Sequence, residues 1–173
     1  MAHHLKKEKI QELIIFGIDP GTVITGYGII KKKENNIAAL DYGCVRPPAK
    51  KELKDRYWII FQSLEHLIEK YKPDAICVET QFVKKNVQVA MKLGMARAIV
   101  LLLSAKYDIP LFEYAPKTAK LAVTGQGSAS KAQVQYMTQV ILGLEKIPEP
   151  EDAADALSLA ICHANRGSLC MNS

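Results

Sequence analysis

The chain has 173 residues, long enough for one domain with a buried core and short for two. Its 49% apolar and 24% charged content excludes a disordered chain, and 23 Lys and Arg against 18 Asp and Glu leave a net charge of +5. A basic balance of that size suits a polyanionic partner without establishing one.

The first twelve residues, Met1 to Glu12, are polar and basic. They lack the apolar stretch of a signal peptide and are expected to form an N-terminal extension. No apolar run is expected to be long enough to cross a membrane. The four cysteines (Cys44, Cys77, Cys162, Cys170) have neither CxxC nor zinc-ligand spacing. Three lie in apolar runs and read as small buried hydrophobes of a reducing compartment. The expectation is a cytoplasmic protein.

Leu13–Ile18 is a continuous apolar run that stops at Asp19-Pro20-Gly21, the pattern of a strand buried on both faces that ends in a turn. Gly26–Lys31 and Ile37–Val45 follow as strands around a turn at Lys33–Asn36, giving an antiparallel meander. After Pro47-Pro48, apolar residues from Leu53 to Tyr71 recur at helical spacing until Pro73. Asp74–Glu79 is a short apolar strand with an acid at its end. A long helix over about Asn86–Lys106 is expected to turn Val87, Met91, Ala98, Leu101 and Leu102 to its apolar side.

Leu111–Tyr114 is a further strand, and Pro116 opens a short helix. The Gly125–Ser128 loop leads to a helix from about Ser130 to Leu142. The last helix, about Glu151–Ala164, has Gly167 as a candidate cap. This order makes a mixed-sheet α/β domain with five strands flanked by helices.

Four acids stand where backbone geometry gathers them. Asp19 and Glu79 end apolar strands, and ligand sites in such sheets favour carboxyl ends. Asp152 and Asp155 lie three apart, on one face of the last helix. Taken singly, Asp19 suits a turn, Glu79 suits a strand end, and the helical pair suits the macrodipole. Ala153, Ala154, Ala156 and Ala160 around that pair point instead to a helix pressed on the sheet. Two carboxylates ~4 Å apart repel by roughly 4 kcal/mol at an effective dielectric near 20. A divalent cation relieves this, and oxygen-only ligands favour Mg²⁺, with Mn²⁺ as a substitute. Two ions ~3.5–4 Å apart would clamp the attacking and leaving oxygens of a phosphodiester.

Ala90, Gly94 and Ala98 form a stripe of small residues on the long helix, suited to a partner backbone across a two-fold axis or to the chain's own sheet. Lys131 opens a helix, where the macrodipole disfavours a cation, which suggests an anion nearby. The runs Lys31–Lys33, Lys50–Lys51 and Lys84–Lys85 fit a nucleic-acid surface and ordinary solvated loops alike.

Several motifs carry a resemblance. Ile18-Asp19-Pro20-Gly21-Thr22 with Gly26-Tyr27-Gly28 resembles the opening of the RuvC family of Holliday-junction resolvases. So do Val78-Glu79-Thr80-Gln81-Phe82, Lys92-Leu93-Gly94-Met95-Ala96-Arg97 and Phe112-Glu113-Tyr114-Ala115-Pro116. Gly127-Ser128-Ala129-Ser130-Lys131 and Asp152-Ala153-Ala154-Asp155-Ala156-Leu157 complete a match from Leu13 to His163.

The resemblance implies an RNase H-like domain over about 13–165, with a tail at 166–173. It implies a homodimer that places paired symmetric nicks in four-way junction DNA, leaving 5′-phosphate and 3′-hydroxyl ends. Asp19, Glu79, Asp152 and Asp155 match the family's metal-binding catalytic acids, Asp152 being taken as the closer ligand of the helical pair. Lys120 and Lys131 match basic residues at the scissile phosphate. Phe82 matches a DNA-contacting aromatic, with Lys84 and Lys85 beside it. The branch-migration proteins RuvA and RuvB are implied as partners.

Two other readings remain open at this point. Gly17-Ile18-Asp19-Pro20-Gly21-Thr22 is also similar to the first phosphate motif of actin- and Hsp70-like ATPases, which need two such domains where this chain has room for one. No nucleotide cofactor is expected, because the Gly-x-x-x-x-Gly-Lys-Ser/Thr pattern is not met. A junction-binding module without catalysis is the other, disfavoured because carboxylates beside phosphates weaken binding unless metal intervenes.

Overall fold

The computed structural model describes residues 12–80 and 87–167. Three antiparallel strands come first: β1 (Glu12–Asp19), β2 (Thr25–Lys33) and β3 (Asn36–Val45). Helix α1 (Leu53–Tyr71) leads to β4 (Ala75–Glu79), which pairs parallel to β1. Helix α2 (Val87–Tyr107) leads to β5 (Leu111–Tyr114), parallel to β4. Helices α3 (Pro116–Thr124), α4 (Lys131–Leu142) and α5 (Glu151–Gly167) complete the described chain. Glu12 already belongs to the sheet, and α5 runs past the expected Ala164 to Gly167.

The sheet order β3-β2-β1-β4-β5 has one directional consequence. Because β2 is antiparallel to both β1 and β3, the strands β1, β3, β4 and β5 all end at the same edge. We call it the carboxyl edge.

Alternation along the strands sorts the core into two layers. Ile15, Ile30 and Cys77 pack with Leu157, Ala160 and Ile161 of α5 and with Ala119 and Val123 of α3. Phe16, Ile18, Ile29, Ile76 and Val78 pack on the other face with Ile60 and Leu64 of α1 and Val100 and Leu103 of α2. The result is a sheet between two helical layers.

Local signals set the helix ends. In α1, Lys72 turns left-handed (φ 50°) with its N–H on the Ile68 carbonyl, and Pro73 follows. Ser130 caps α4: its Oγ accepts from Gln133 N at 3.2 Å, while Gln133 Oε1 accepts from Ser130 N at 2.8 Å.

Two expectations about α2 need correction. The buried residues are Ala96, Ile99, Val100 and Leu103, whereas Val87, Met91, Leu101 and Leu102 are exposed. Ala98 is partly buried. A helix apolar around most of its girth gives no periodic signal for the face that meets the sheet. For the same reason, α2 is long and apolar enough by length and composition to cross a membrane. Lys92 and Arg97 interrupt its apolar runs and hid this from a reading of unbroken stretches.

Candidate active site

Strand periodicity decides which acids meet. Gly17 lies under α5, where a Cβ would stand 2.0 Å from the Ala156 carbonyl oxygen. Two residues on, Asp19 turns to the same face. On β4, Cys77 packs in the α5 layer, so Glu79 does likewise. Ile18 pairs with Val78, which leaves Asp19 and Glu79 side by side at adjacent strand ends, with backbones about 4.8 Å apart.

Helix α5 brings the other two acids. Gly26 is paired with Asp19 across β1 and β2, and a Cβ there would lie 2.0 Å from the Asp152 carbonyl oxygen. Gly28 meets Leu157 one turn further on. A side chain at these positions would lift α5 off the sheet. With glycine, the first turn of α5 rests against the end of β1. Ala153, Ala154, Ala156 and Ala160 are all buried in that contact, as their size suggested.

Charge is therefore crowded. Asp19 is pushed up to about 7, first by burial, then by Glu79, Asp155 and Asp152 in that order, with Lys131 opposing. Glu79 is raised by burial and by Asp155, against Lys120 and Lys131. Asp155 is raised by burial, which outweighs the lowering by Lys131. Asp155 thus bears more strongly on Asp19 than Asp152 does.

The lysines stand as cations among these acids. Lys131 Nζ lies 2.8 Å from Glu151 and 3.9 Å from Asp155. The anion it answers is thus first a protein carboxylate. Lys120 Nζ donates to the Ala129 carbonyl at 3.0 Å, tying α3 to the loop before α4. Phe82, Lys84 and Lys85 lie outside the described residues. Lys31 and Lys33 sit at the opposite edge, paired with Glu12 at 2.5 and 3.3 Å, and take no part here.

Three neighbours escaped the sequence reading. Glu151 begins α5 and holds Lys131. Cys44 is half-buried, its thiol pushed up to about 11 by burial and then by Asp152, with Arg46 opposing and Asp19 adding. Arg46 follows β3 at the carboxyl edge and, with Gln135, Glu149, Pro150 and Glu151, lines a cleft of about 580 Å³. The signal for both Cys44 and Arg46 was strand direction, since β3 ends beside the acids.

The donor set suits a hard divalent cation: carboxylate oxygens only, crowded enough to hold a proton on Asp19 near neutrality. Among the described residues, no three acidic, His or Cys side chains already converge at the spacing of a metal cage. The carboxylates share one neighbourhood without being drawn together.

The family described as "Crossover junction endodeoxyribonuclease RuvC" matches residues 15–163. The chain belongs to the RuvC family. It is 56% identical over 153 residues to the crossover junction endodeoxyribonuclease RuvC of Protochlamydia amoebophila, covering 88% of this chain and 91% of that one. It is 46% identical over 153 residues to its counterpart in Ruminiclostridium cellulolyticum, covering 88% and 92%. The structure of Thermus thermophilus RuvC in complex with a Holliday junction substrate superposes with a TM-score of 0.86 at 31% identity, covering 91% and 96%. The five-stranded mixed sheet is accordingly the RNase H-like fold of RuvC, and the chain is a crossover junction endodeoxyribonuclease that resolves Holliday junctions. Both the ATPase reading and the non-catalytic reading give way to this one.

Proposed function

We propose that this enzyme hydrolyses one phosphodiester in each of two strands of a four-way junction, using Asp19, Glu79, Asp152 and Asp155 to hold Mg²⁺. The observation that carries the proposal is Asp19. A strand-end carboxyl raised to about 7 by burial and three neighbouring acids is poorly suited to a merely structural role.

Bound Mg²⁺ supplies Lewis-acid activation of a water and stabilisation of the departing 3′ oxygen. The chain's own residues do the rest. Asp19 and Glu79, fixed on adjacent strand ends, present rigid carboxylates. Asp152 and Asp155 close the cluster from the helix that the glycines seat. Lys131 and Lys120 offset charge that develops on the phosphate. Release of the Asp19 proton prepares the site, so cleavage should rise as pH climbs through neutrality. Each nick leaves a 5′-phosphate and a 3′-hydroxyl.

Two symmetric nicks need two sites, and a two-fold dimer supplies them. Gly94 supports α2 as its axis: it is exposed, with nothing within 4 Å of where a Cβ would stand, so it does not pack on the chain's own sheet. Exposed Met91, Met95, Leu101 and Leu102 give the same helix an apolar surface. Gly94→Leu should yield monomers in sedimentation that nick poorly. A Gly94→Leu dimer would place the interface elsewhere. RuvA and RuvB stand as partners by family, and the DNA contacts of Phe82, Lys84 and Lys85 are retained on the same ground.

The experiment that tests the proposal is cleavage of a synthetic immobile-arm junction by purified protein with Mg²⁺ and with EDTA. Paired nicks only with Mg²⁺ are expected, ligatable without end repair. Equal cleavage in EDTA would overturn the metal account.

A further inference from the structure

Around the four acids, most cations are already held by the protein. Lys131 is paired with Glu151, Lys120 with the Ala129 carbonyl, and Arg56 with the Thr22 carbonyl in the loop after Asp19. Arg46 differs. It is exposed, and among the described residues it has no hydrogen bond or ion pair.

Its position is fixed by the sheet. Val45 packs against the α1 layer, so Cys44 and the residue two beyond it turn toward α5. Arg46 follows the last residue of β3, and β3 lies two strands from β1, about 10 Å across at about 4.8 Å per strand. Lys120, on the helix after β5, is at the other flank. A single strand laid along the carboxyl edge, with one phosphate over Asp19, therefore passes Lys120 on one side and Arg46 on the other.

We propose that Arg46 anchors a phosphate of the cleaved strand, on the β3 side of the scissile phosphate, in the cleft it shares with Gln135, Glu149, Pro150 and Glu151. This rests on the nuclease reading above. Guanidinium chemistry favours it: five fixed N–H donors match phosphate oxygens in a fork, and the charge persists at every working pH. The cleft is otherwise hostile to DNA. Glu151 is engaged by Lys131, but Glu149 also lines the wall. Without Arg46 the cleft would repel a phosphate.

A structural alternative is that Arg46 merely offsets Glu149, and the two readings separate by measurement. Arg46→Ala should weaken junction binding about tenfold, raise the half-saturating protein concentration for nicking accordingly, and reduce the salt slope of binding by about 0.7–0.9. Arg46→Lys should recover the salt slope and only part of the affinity. Glu149→Gln alone should tighten binding, and Arg46→Ala with Glu149→Gln should remain weaker than Glu149→Gln with an intact salt-slope loss.

Full recovery of affinity and slope in that double variant would assign Arg46 to charge balance and overturn the proposal. So would an Arg46→Ala protein of unchanged affinity. These measurements need only junction binding in Ca²⁺ or EDTA. They stand apart from the cleavage test, whose failure would show in the wild type.

Discussion

The two edges of the sheet treat charge in opposite ways. At the edge where β1 begins, Glu12 is paired with Lys31 and Lys33, Lys32 reaches the Ala164 carbonyl, and Lys106 of α2 is paired with Glu65 of α1. Glu12 is held below the ordinary carboxylate range, first by hydrogen bonding to Lys31. At the carboxyl edge Asp19, Glu79 and Asp155 are all raised. One edge has its charges matched in solvent, while the other crowds like charges under a helix. Structure alone gains nothing from the second arrangement, which is what the proposed cation site would account for.

The largest test of that contrast is Asp19→Asn. It should lower cleavage roughly a thousandfold or more, about 4 kcal/mol of transition-state stabilisation, while junction binding stays near wild type. Loss of a carboxylate also lowers repulsion toward DNA. Near wild-type cleavage would dissolve the distinction between the edges.

Lys131→Ala comes next. Lys131 lowers Asp19, Glu79 and Asp155. Its removal should cut the single-turnover rate at saturating protein about tenfold, about 1.4 kcal/mol, and move the rise in the pH–rate profile to higher pH. A fall in affinity with an unmoved profile would make Lys131 a positioning residue for DNA.

Stability against pH should show the crowding without any substrate. Asp19 titrates near 7 when folded and near 3.9 when unfolded, so the folded state holds its proton more tightly. Its stabilising effect is full below about pH 4 and is lost as pH rises to about 7. In EDTA, wild type should lose roughly 1–3 kcal/mol over that range relative to Asp19→Asn, and Mg²⁺ should restore part of it above pH 7. Parallel denaturation curves for the two proteins at every pH would remove the crowding argument.

The paired edge should answer least. Glu12→Gln should leave the melting temperature within about 2 °C, since exposed ion pairs contribute little, and should not alter nicking. A large loss of activity would mean that this edge also belongs to the site.

Much of this was legible in the sequence. The elements, their order and the four acids were all readable, because unbroken apolar runs ending in Asp19 and Glu79 mark buried strands, and Pro47-Pro48, Pro73 and Pro116 punctuate the chain. Alanines at 153, 154, 156 and 160 marked α5 as a helix seated on the sheet. The face of α2 was not legible, because a helix apolar nearly all round has no stripe to read.

The sequence by itself determined the residue types, the strand ends and the helical spacing that put Asp152 and Asp155 on one face. Tertiary structure decided three further things. Strand direction put β3 and hence Cys44 and Arg46 at the same edge as Asp19, which pairing alone reveals. Glycines at 17, 26 and 28 read as turn or strand residues in isolation, yet their meaning is the close approach of the α5 backbone. The partner of Lys131 was Glu151, twenty residues away in the chain and 2.8 Å away in space. Each depends on contacts between segments distant in sequence, and local propensity and periodicity carry no information about those.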